Sequence, residues 1–293
     1  MQFQIIQPTE ALRPYIYRYV YVRAEGSTDT MTPPTDDSRF VNGKHVQQLL
    51  PNYGSLIFTR NVVVDFNGKR SDGLTLLGAN QTTIGLTTIS GWFEGMLLDF
   101  QPGAMHTLLG IDLQQLSGKV LTADEYADQR LLQLDRLFKT TQRAEDISLL
   151  LDAFFLGQLP RHEDINYTRI CKVISACDAA KCNISAAEMA SVACLGERQF
   201  LRIFRNYVGI PPKQFLRLRR FHHALQSMQE TANAQRLKTN DQRPIDLLSI
   251  ALDHGYYDLS HMALEFQQMG CVSPSHFRML GIPLTPDFSV FFA

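Results

Sequence analysis

The stretch from Gly196 to Gly209 constrains the fold of this chain more than any other part of its sequence. Plotted at about 100° per residue, it has one apolar stripe, which consists of Phe200, Ile203, Phe204, Tyr207 and Val208. The opposite side is formed by Arg198, Leu201, Arg202 and Arg205. The pattern predicts a helix over about Glu197–Tyr207 that packs by one face and presents arginines on the other.

A shorter helix is predicted just before this one. Ser185-Ala-Ala-Glu188 is a capping box, in which the serine oxygen and the glutamate side chain satisfy free N–H groups at a helix start. Gly196 offers a break between the two helices. Two short helices joined by a turn, the second of them basic, form a helix-turn-helix pattern. Arginines placed in this way can reach guanine edges and phosphates when the second helix enters the major groove of DNA.

The charge distribution favours contact with a polyanion in one part of the chain. The formal net charge is −1, but residues 166–293 carry a balance of +4 and residues 1–165 a balance of −5. Such asymmetry between halves can mark a nucleic-acid-binding part. A solvated helix face is the alternative explanation of a charge run. That face would mix both signs, whereas one glutamate accompanies seven basic residues between Glu197 and Arg220.

The helix-turn-helix pattern recurs further along the chain. After Gly209-Ile-Pro-Pro212 the apolar spacing predicts a linker helix, followed by a polar loop over Thr231–Arg243. Pro244 opens another apolar segment that ends at Gly255, and Asp258 is the predicted cap of a last helix. The sequence therefore predicts an all-α region of two helix-turn-helix units joined by a linker helix.

Residues of about 168–280 resemble the DNA-binding domain of the AraC/XylS family of bacterial transcription regulators. The matching stretches are Glu188-Met-Ala, Arg198–Phe204, Gly209-Ile-Pro-Pro-Lys-Gln-Phe-Leu, Arg220 with Ala224, Ile250-Ala, Gly255-Tyr, Asp258, Ser260, Phe266 and Val272-Ser-Pro-Ser-His-Phe-Arg278. The resemblance implies a sequence-specific regulator that occupies two adjacent major grooves of double-stranded DNA. The implied base contacts are Arg198, Leu201 and Arg202 from the first reading helix, and Tyr257, Ser260, His261 and Leu264 from the second. The predicted DNA-binding set is completed by Arg205, Gln268, Arg217 and Arg220.

The second reading helix departs from the family pattern. Leu264 stands where the family usually has a basic residue, and Gln267 and Gln268 follow where more are common. Charged contacts are stronger than neutral ones and release counterions, so we expect the first helix to supply most of the specificity. The alternative is that Leu264 packs against a neighbouring domain and the second unit never enters a groove.

Residues 1–122 contain short β-like runs separated by turn formers, which predict a small β-sandwich or barrel. The clearest runs are Tyr15–Arg23, Leu56–Thr59, Val62–Phe66 and Gly95–Phe100. Beyond Ala123, leucine and phenylalanine at helical spacing over 131–138 and 147–155 predict a helical connector. The predicted fold class is α+β, a β-rich barrel- or sandwich-like domain with a helical connector, followed by the all-α region.

The chain is expected to divide into a β-rich domain over 1–160, a DNA-binding domain over 166–282 and a tail over 283–293. The two domains are expected to have separate cores, and the phenylalanines of the tail to dock on the body. The first domain resembles, less specifically, a β-rich domain of some family members, in the stretches Leu12–Tyr19, Leu76–Thr82 and Leu98–Gly110. This resemblance implies a small-molecule effector or a homodimer, and RNA polymerase is a further candidate partner.

Rival chemistries have weaker support. Four of the five cysteines cluster in the first part of the predicted DNA-binding domain but include no Cys-x-x-Cys pair, which favours buried thiols over a metal site: Cys171, Cys177, Cys182 and Cys194. His45 and His106 are candidate metal ligands inside a barrel, and Trp92 and Phe93 candidate linings of an effector pocket, with core packing the alternative. No catalytic residue, metal or cofactor is expected.

Two other functions stay open. One is a metal-dependent barrel enzyme fused to a DNA anchor, and the other is an interaction protein with degraded DNA binding. No apolar run of about 18 residues and no signal-peptide pattern occurs, so a cytoplasmic location without membrane contact is expected.

Overall fold

The structure is a computed structural model that describes residues 2–24, 40–41, 44–49, 53–60, 62–66, 68–79, 84–88, 93–237, 245–269, 273–274 and 290–292. The described strands form two antiparallel sheets. The first has the order β1-β2-β10-β5-β8-β11, with bounds Gln2–Ile6, Ile16–Ala24, Phe93–Phe100, Ser55–Arg60, Thr75–Leu77 and Val120–Thr122. The second has the order β12-β4-β9-β6-β7, with bounds Val290–Phe292, Lys44–Leu49, Ile84–Thr88, Val64–Phe66 and Lys69–Ser71, and β3 (Phe40–Val41) pairs with β4.

The fold class is α+β, as predicted, and the β-region is sandwich-like. An apolar cluster lies between the sheets, because Val20, Ile57 and Leu97 of the first sheet pack with Val64 and Phe66 of the second. Among the described strands, β1 and β11 stand at opposite edges of the first sheet and do not pair with each other. The barrel form of the prediction is therefore wrong, since the first sheet does not close on itself.

A set of helices covers the other face of the first sheet. Their bounds are α1 Ala104–Leu109, α2 Leu113–Leu116, α3 Ala123–Tyr126, α4 Gln129–Thr140 and α5 Ala144–Leu156. Ring contacts join helix to strand, with Phe58 5.3 Å from Phe138 and Phe100 5.7 Å from Phe155 between centroids. The two leucine-rich helices of the predicted connector are thus confirmed as α4 and α5.

The first sheet also holds charged side chains out of water. Arg18 Nε donates to Asp99 Oδ2 at 2.9 Å, and Ser55 Oγ donates to Asp99 Oδ1 at 2.8 Å. Arg60 pairs with Glu94, and both side chains are almost completely buried. Buried charges of this kind require their partners, because an unpaired charge in an apolar core is costly.

The C-terminal helices have the bounds α6 Ile165–Ala179, α7 Ala186–Val192, α8 Glu197–Val208, α9 Pro212–Leu237, α10 Leu247–Asp253 and α11 Leu259–Gln268. The predicted caps are confirmed, since Ser185 Oγ accepts from the Glu188 N–H at 3.2 Å and Asp258 Oδ1 from the His261 N–H at 2.7 Å. The prediction of a polar loop over Thr231–Arg243 is wrong for its first half, because α9 continues to Leu237. Within the described residues, none of the helices combines the length and the hydropathy needed to cross a lipid bilayer.

The β-rich and all-α regions share a continuous apolar core, which differs from the expectation of separate cores. Tyr167 of α6 stacks on Tyr15 with centroids 5.1 Å apart, and its hydroxyl donates to the Pro14 carbonyl at 2.6 Å. Tyr53 contacts Phe215 of α9 at 5.4 Å. The expected docking of the tail is seen in β12, which pairs with β4, so the last described residues return to the N-terminal region.

Candidate nucleic-acid interface

The turn between α7 and α8 sets the angle at which α8 leaves the body. Cys194 adopts the left-handed conformation, with φ of 53°, and the Leu195 N–H donates to the Ala190 carbonyl at 3.0 Å. Gly196 is the extended N-cap of α8. The break predicted at Gly196 is therefore formed two residues earlier, by a non-glycine residue that the apolar periodicity does not mark.

Helix α8 has two faces of opposite character, as its sequence predicts. The buried face consists of Phe200, Ile203, Phe204, Tyr207 and Val208. The side chains of Arg198, Arg202 and Arg205 are exposed, and Leu201 is half-buried beside them. Within the described parts of the chain, these three guanidinium groups have no hydrogen-bond or ion-pair partner. Three cations on one helix face are thus available to an anionic ligand.

The N-terminal region contacts α8 away from those arginines. The rings of His106 and Tyr207 lie 4.0 Å apart, and the Tyr207 hydroxyl donates to Asp164 at 2.9 Å. Burial and the bond to Asp164 raise the pKa of Tyr207 to about 12. Gly209 ends α8 with φ of 86°, and a Cβ there would lie 3.0 Å from the Leu113 carbonyl oxygen. The helix is therefore fixed at its C-terminal end while its arginines point elsewhere.

The arginines at the start of α9 are engaged within the chain. Arg217 Nε donates to Glu265 Oε1 at 2.9 Å, and Arg220 donates to the same oxygen at 3.2 Å. The Arg220 guanidinium also lies 5.8 Å from the centre of the Tyr256 ring. Glu265 is buried on α11, so these contacts hold the second helix-turn-helix unit against α9. DNA contact by Arg217 and Arg220 stays a prediction, and it would compete with this cluster.

Arg219 is held even more tightly. Its Nε and Nη2 atoms donate to the two carboxylate oxygens of Asp178 at 2.7 and 2.6 Å. Burial works against the charged form, but the bonds to Asp178 raise the pKa of Arg219. The run of arginines that the sequence presents as one basic feature therefore divides into an exposed set on α8 and a paired set on α9.

Helix α11, the predicted second reading helix, presents a largely neutral surface. Tyr257 is 85% exposed and Leu264 53% exposed, and Ser260 is also exposed. His261 is half-buried, with its Nδ1 accepting from the Tyr257 N–H at 3.2 Å and its Nε2 3.7 Å from Glu265. Gln268 is exposed and accepts a hydrogen bond from Arg217. Because Leu264 is exposed, the described residues do not pack over it as the alternative required.

Two further polar side chains near the helix-turn-helix are exposed: Lys213, which belongs to the basic run seen in the sequence, and Gln199, which the sequence analysis did not single out. Gln199 of α8 is exposed one position beyond Arg198, and Lys213 is exposed at the start of α9. A glutamine amide can read adenine in the major groove, and a lysine can hold a phosphate. Gln199 was not predicted, since an uncharged polar residue on a helix face gives no signal of its own, and only the structure shows that its side chain is exposed.

The structure describes only some of the residues that are candidates for a metal or effector site. His106 is engaged by Tyr207 and by the Ile111 carbonyl, 2.7 Å from its Nδ1, which supports a packing role. Trp92 and the side chains of His45 and Phe93 lie outside the described residues. Of the four cysteines, Cys177 and Cys182 are buried, Cys171 is half-buried and Cys194 is exposed.

Comparison with known proteins identifies the class. Residues 189–279 match a family model described as a helix-turn-helix domain, so this region belongs to the DNA-binding class that the α7–α8 and α10–α11 pairs define. The match is to a helix-turn-helix of the AraC type, which confirms the resemblance seen in the sequence. Residues 189–279 thus form a helix-turn-helix domain. No curated protein matches the sequence.

Solved structures with a related outline include ToxT from Vibrio cholerae. One form is 12% identical, with a TM-score of 0.44, over 89% of this chain and 98% of ToxT. ToxT of strain O395 bound to (E)-4-(8-methylnaphthalen-1-yl)but-3-enoic acid is 11% identical, with a TM-score of 0.46, over 91% of this chain and 99% of ToxT. The AraC-like transcriptional activator CuxR is 12% identical, with a TM-score of 0.21, over 74% of this chain and 84% of CuxR. Each score is below 0.5, so we infer function from this chain's own residues.

Proposed function

We propose that this protein is a sequence-specific DNA-binding transcriptional regulator in which α8 supplies most of the base and phosphate contacts. The observation that carries the proposal is the set of exposed, unpaired arginines on α8, opposite the face that packs on the body. A helix of this kind fits the major groove, where arginine binds guanine through two hydrogen bonds. Arg202 lies at the centre of the set, between Arg198 and Arg205.

Helix α11 contributes a weaker, neutral reading surface. Its exposed side chains offer a hydroxyl, an aromatic ring, an amide and the Leu264 methyls, which can contact a thymine methyl group. None of these adds a full positive charge that would release counterions. Binding at the two half-sites of an operator is therefore expected to be unequal, with sharper base preference at the half-site read by α8.

Selection of binding sites from random duplex DNA with the full chain, at stated salt, tests the proposal. Affinity for the selected site should fall steeply as salt rises. Arg202→Ala should then cost about 1–3 kcal/mol on that site and less on random DNA. The control is Arg136→Ala, which removes the same charge from an exposed position of α4. Equal affinity for all duplexes, or equal losses from both variants, would overturn the proposal.

Leu264→Arg tests the role of α11 separately. If that helix faces DNA, the added charge should tighten binding and raise the salt slope by about 1. If the exposed Tyr257 and Leu264 instead contact a protein partner, the second candidate function, the substitution leaves DNA binding unchanged and footprinting shows protection of one half-site.

Control of DNA binding is assigned to the N-terminal region. Leu137 of α4 and Leu149 and Leu156 of α5 are exposed apolar side chains, which favour a homodimer interface. Sedimentation of the full chain tests this assignment, with Leu149→Glu expected to shift a dimer to a monomer. A chain that is monomeric at tens of micromolar contradicts it.

An effector site is the other form of control. A pocket of about 410 Å³ is lined by charged groups that include Arg70, Asp72, Asp124, Asp135 and Lys139. Such a lining suits a small polar molecule with charges of both signs. Thermal-shift screening with amino acids and related compounds tests this assignment, with Lys139→Ala expected to abolish any shift. Contact with RNA polymerase remains a further proposal.

A further inference from the structure

Three side chains with metal-binding atoms meet where the turn between α6 and α7 packs against the linker helix α9. Asp178 lies near the end of α6, Cys182 in the turn before α7, and His223 on α9. A carboxylate oxygen, the thiol sulfur and a ring nitrogen all lie within 4.8 Å of one another, and the His223 Nε2 to Asp178 Oδ1 distance is 3.5 Å. The sequence predicted no metal site because these residues are not in a Cys-x-x-Cys pattern. The fold assembles them from separate elements.

We infer that Asp178, Cys182 and His223 form a binding site for a zinc-like divalent cation. Tetrahedral zinc has bonds of about 2.0–2.3 Å to nitrogen, oxygen and sulfur, so its ligand atoms lie roughly 3.5 Å apart. The three donors need to approach by only about 1 Å to reach that geometry. A thiolate with an imidazole favours zinc and related metals, whereas calcium and magnesium prefer oxygen donors alone.

The burial of the three residues gives the site a closed floor and an open side. Cys182 is 2% exposed, while the side chains of His223 and Asp178 are 26% and 34% exposed. An ion can therefore enter from solvent and keep water at its fourth position. The turn directs Cys182 inward through an uncommon backbone, since Lys181 and Cys182 have φ of 50° and 60° and the Cys182 N–H donates to the Cys177 carbonyl at 2.7 Å.

Arg219 is the group that opposes cation binding, because its guanidinium occupies both oxygens of Asp178. Each carboxylate oxygen has a second lone pair, so Asp178 can bind a metal and keep its bond to Arg219. In that arrangement Arg219 orients the ligand, as outer partners do in many metal sites. The positive charge lowers affinity, which suits a site that exchanges its ion with solution.

The site also borders the second helix-turn-helix unit. The His223 ring lies 6.0 Å from that of His254, which follows α10, and Lys181 Nζ lies 3.9 Å from Asp253. A bound cation would tie the α6–α7 turn to α9 at the point where α10 ends. Its presence would therefore restrict the movement of α9 relative to the α6–α7 turn.

Titration of the reduced full-length chain with Co²⁺ tests the inference, because a cobalt–thiolate bond gives a near-ultraviolet absorption band. One Co²⁺ per chain is expected, with the band abolished by Cys182→Ser, displaced by Zn²⁺ and kept in the control Cys194→Ser. Should Cys182→Ser fail to fold, His223→Gln provides an independent test of the site. It should weaken binding by at least about tenfold, while His162→Gln, at an exposed histidine, leaves it unchanged. No stoichiometric binding, a band that persists without Cys182, or equal affinity in both histidine variants would overturn the inference.

Discussion

Replacing Glu265 by alanine should destabilise the second helix-turn-helix unit. The side chain is 7% exposed, and one of its oxygens accepts from both Arg217 and Arg220. Removing one partner of a buried ion pair costs about 3–5 kcal/mol, because the other charge stays buried and uncompensated. The side chain of Arg217 is 30% exposed and regains water, so its share is smaller. We expect the free energy of unfolding to fall by about 3 kcal/mol.

Urea denaturation measures this loss as a lower midpoint at an unchanged slope. For a chain of this size, about 3 kcal/mol corresponds to a fall in Tm of roughly 6–12 °C. The matched control is Glu145→Ala in the first turn of α5, where the nearest cation is Arg143 at 3.8 Å and both side chains are exposed. That change should cost less than about 1 kcal/mol.

The double-mutant cycle of Glu265→Ala with Arg220→Ala separates a structural pair from two independent residues. A direct pair predicts that the double mutant loses about 1–3 kcal/mol less than the sum of the single mutants. Additive losses, or a Glu265→Ala protein as stable as the control, would refute the reasoning. In that event Arg220 would be free for DNA, as the sequence resemblance implies.

Three further predictions concern single positions. Gly209→Ala should destabilise the protein by more than about 1 kcal/mol, because φ is 86° and the added Cβ meets a backbone carbonyl. The control Gly196→Ala, at an open and extended position, should cost less, and thermal unfolding compares the two variants. Ser185→Ala should cost about 1 kcal/mol through loss of the capping box, with exposed Ser191→Ala as its control, and a smaller difference would contradict the cap. Burial opposes ionisation of Glu94, but hydrogen bonds from a buried arginine and a tyrosine lower its pKa below 4.5, so its stabilisation is present above that pH and is lost as the pH falls further. When the pH is lowered from 5 to about 4 and below, the free energy of unfolding of a Glu94→Gln protein should therefore fall less than that of the wild type.

Local patterns in the sequence predicted the elements of the candidate interface well. The boundaries of α8 follow from its apolar stripe, and the start of α7 from its capping box, since both depend on residues within a few positions of each other. The helical residues 231–237 were assigned to a loop because they are polar. Their alanine, glutamine and arginine are nevertheless good helix formers, and α9 needs no apolar stripe there to continue.

The tertiary partners of the arginines could not be predicted in the same way. Arg217 and Arg202 are alike in sequence, both basic and both near apolar stripes. What distinguishes them is Glu265, which lies 48 positions after Arg217 and reaches it only when α11 packs on α9. The metal-binding group has the same character, because Asp178 and His223 become neighbours only through the packing of α9 on the α6–α7 turn.

Through the contact between Tyr207 and His106, the helix that carries the exposed arginines also packs against the N-terminal region. A helix is stiff along its length, so a displacement of α1 would be passed to Arg202 as a rotation of the whole rod. The N-terminal region and α8 are therefore not independent of each other. A chimera that joins this α8 to a foreign N-terminal region is expected to bind DNA with altered half-site preference until position 106 is matched to its tyrosine.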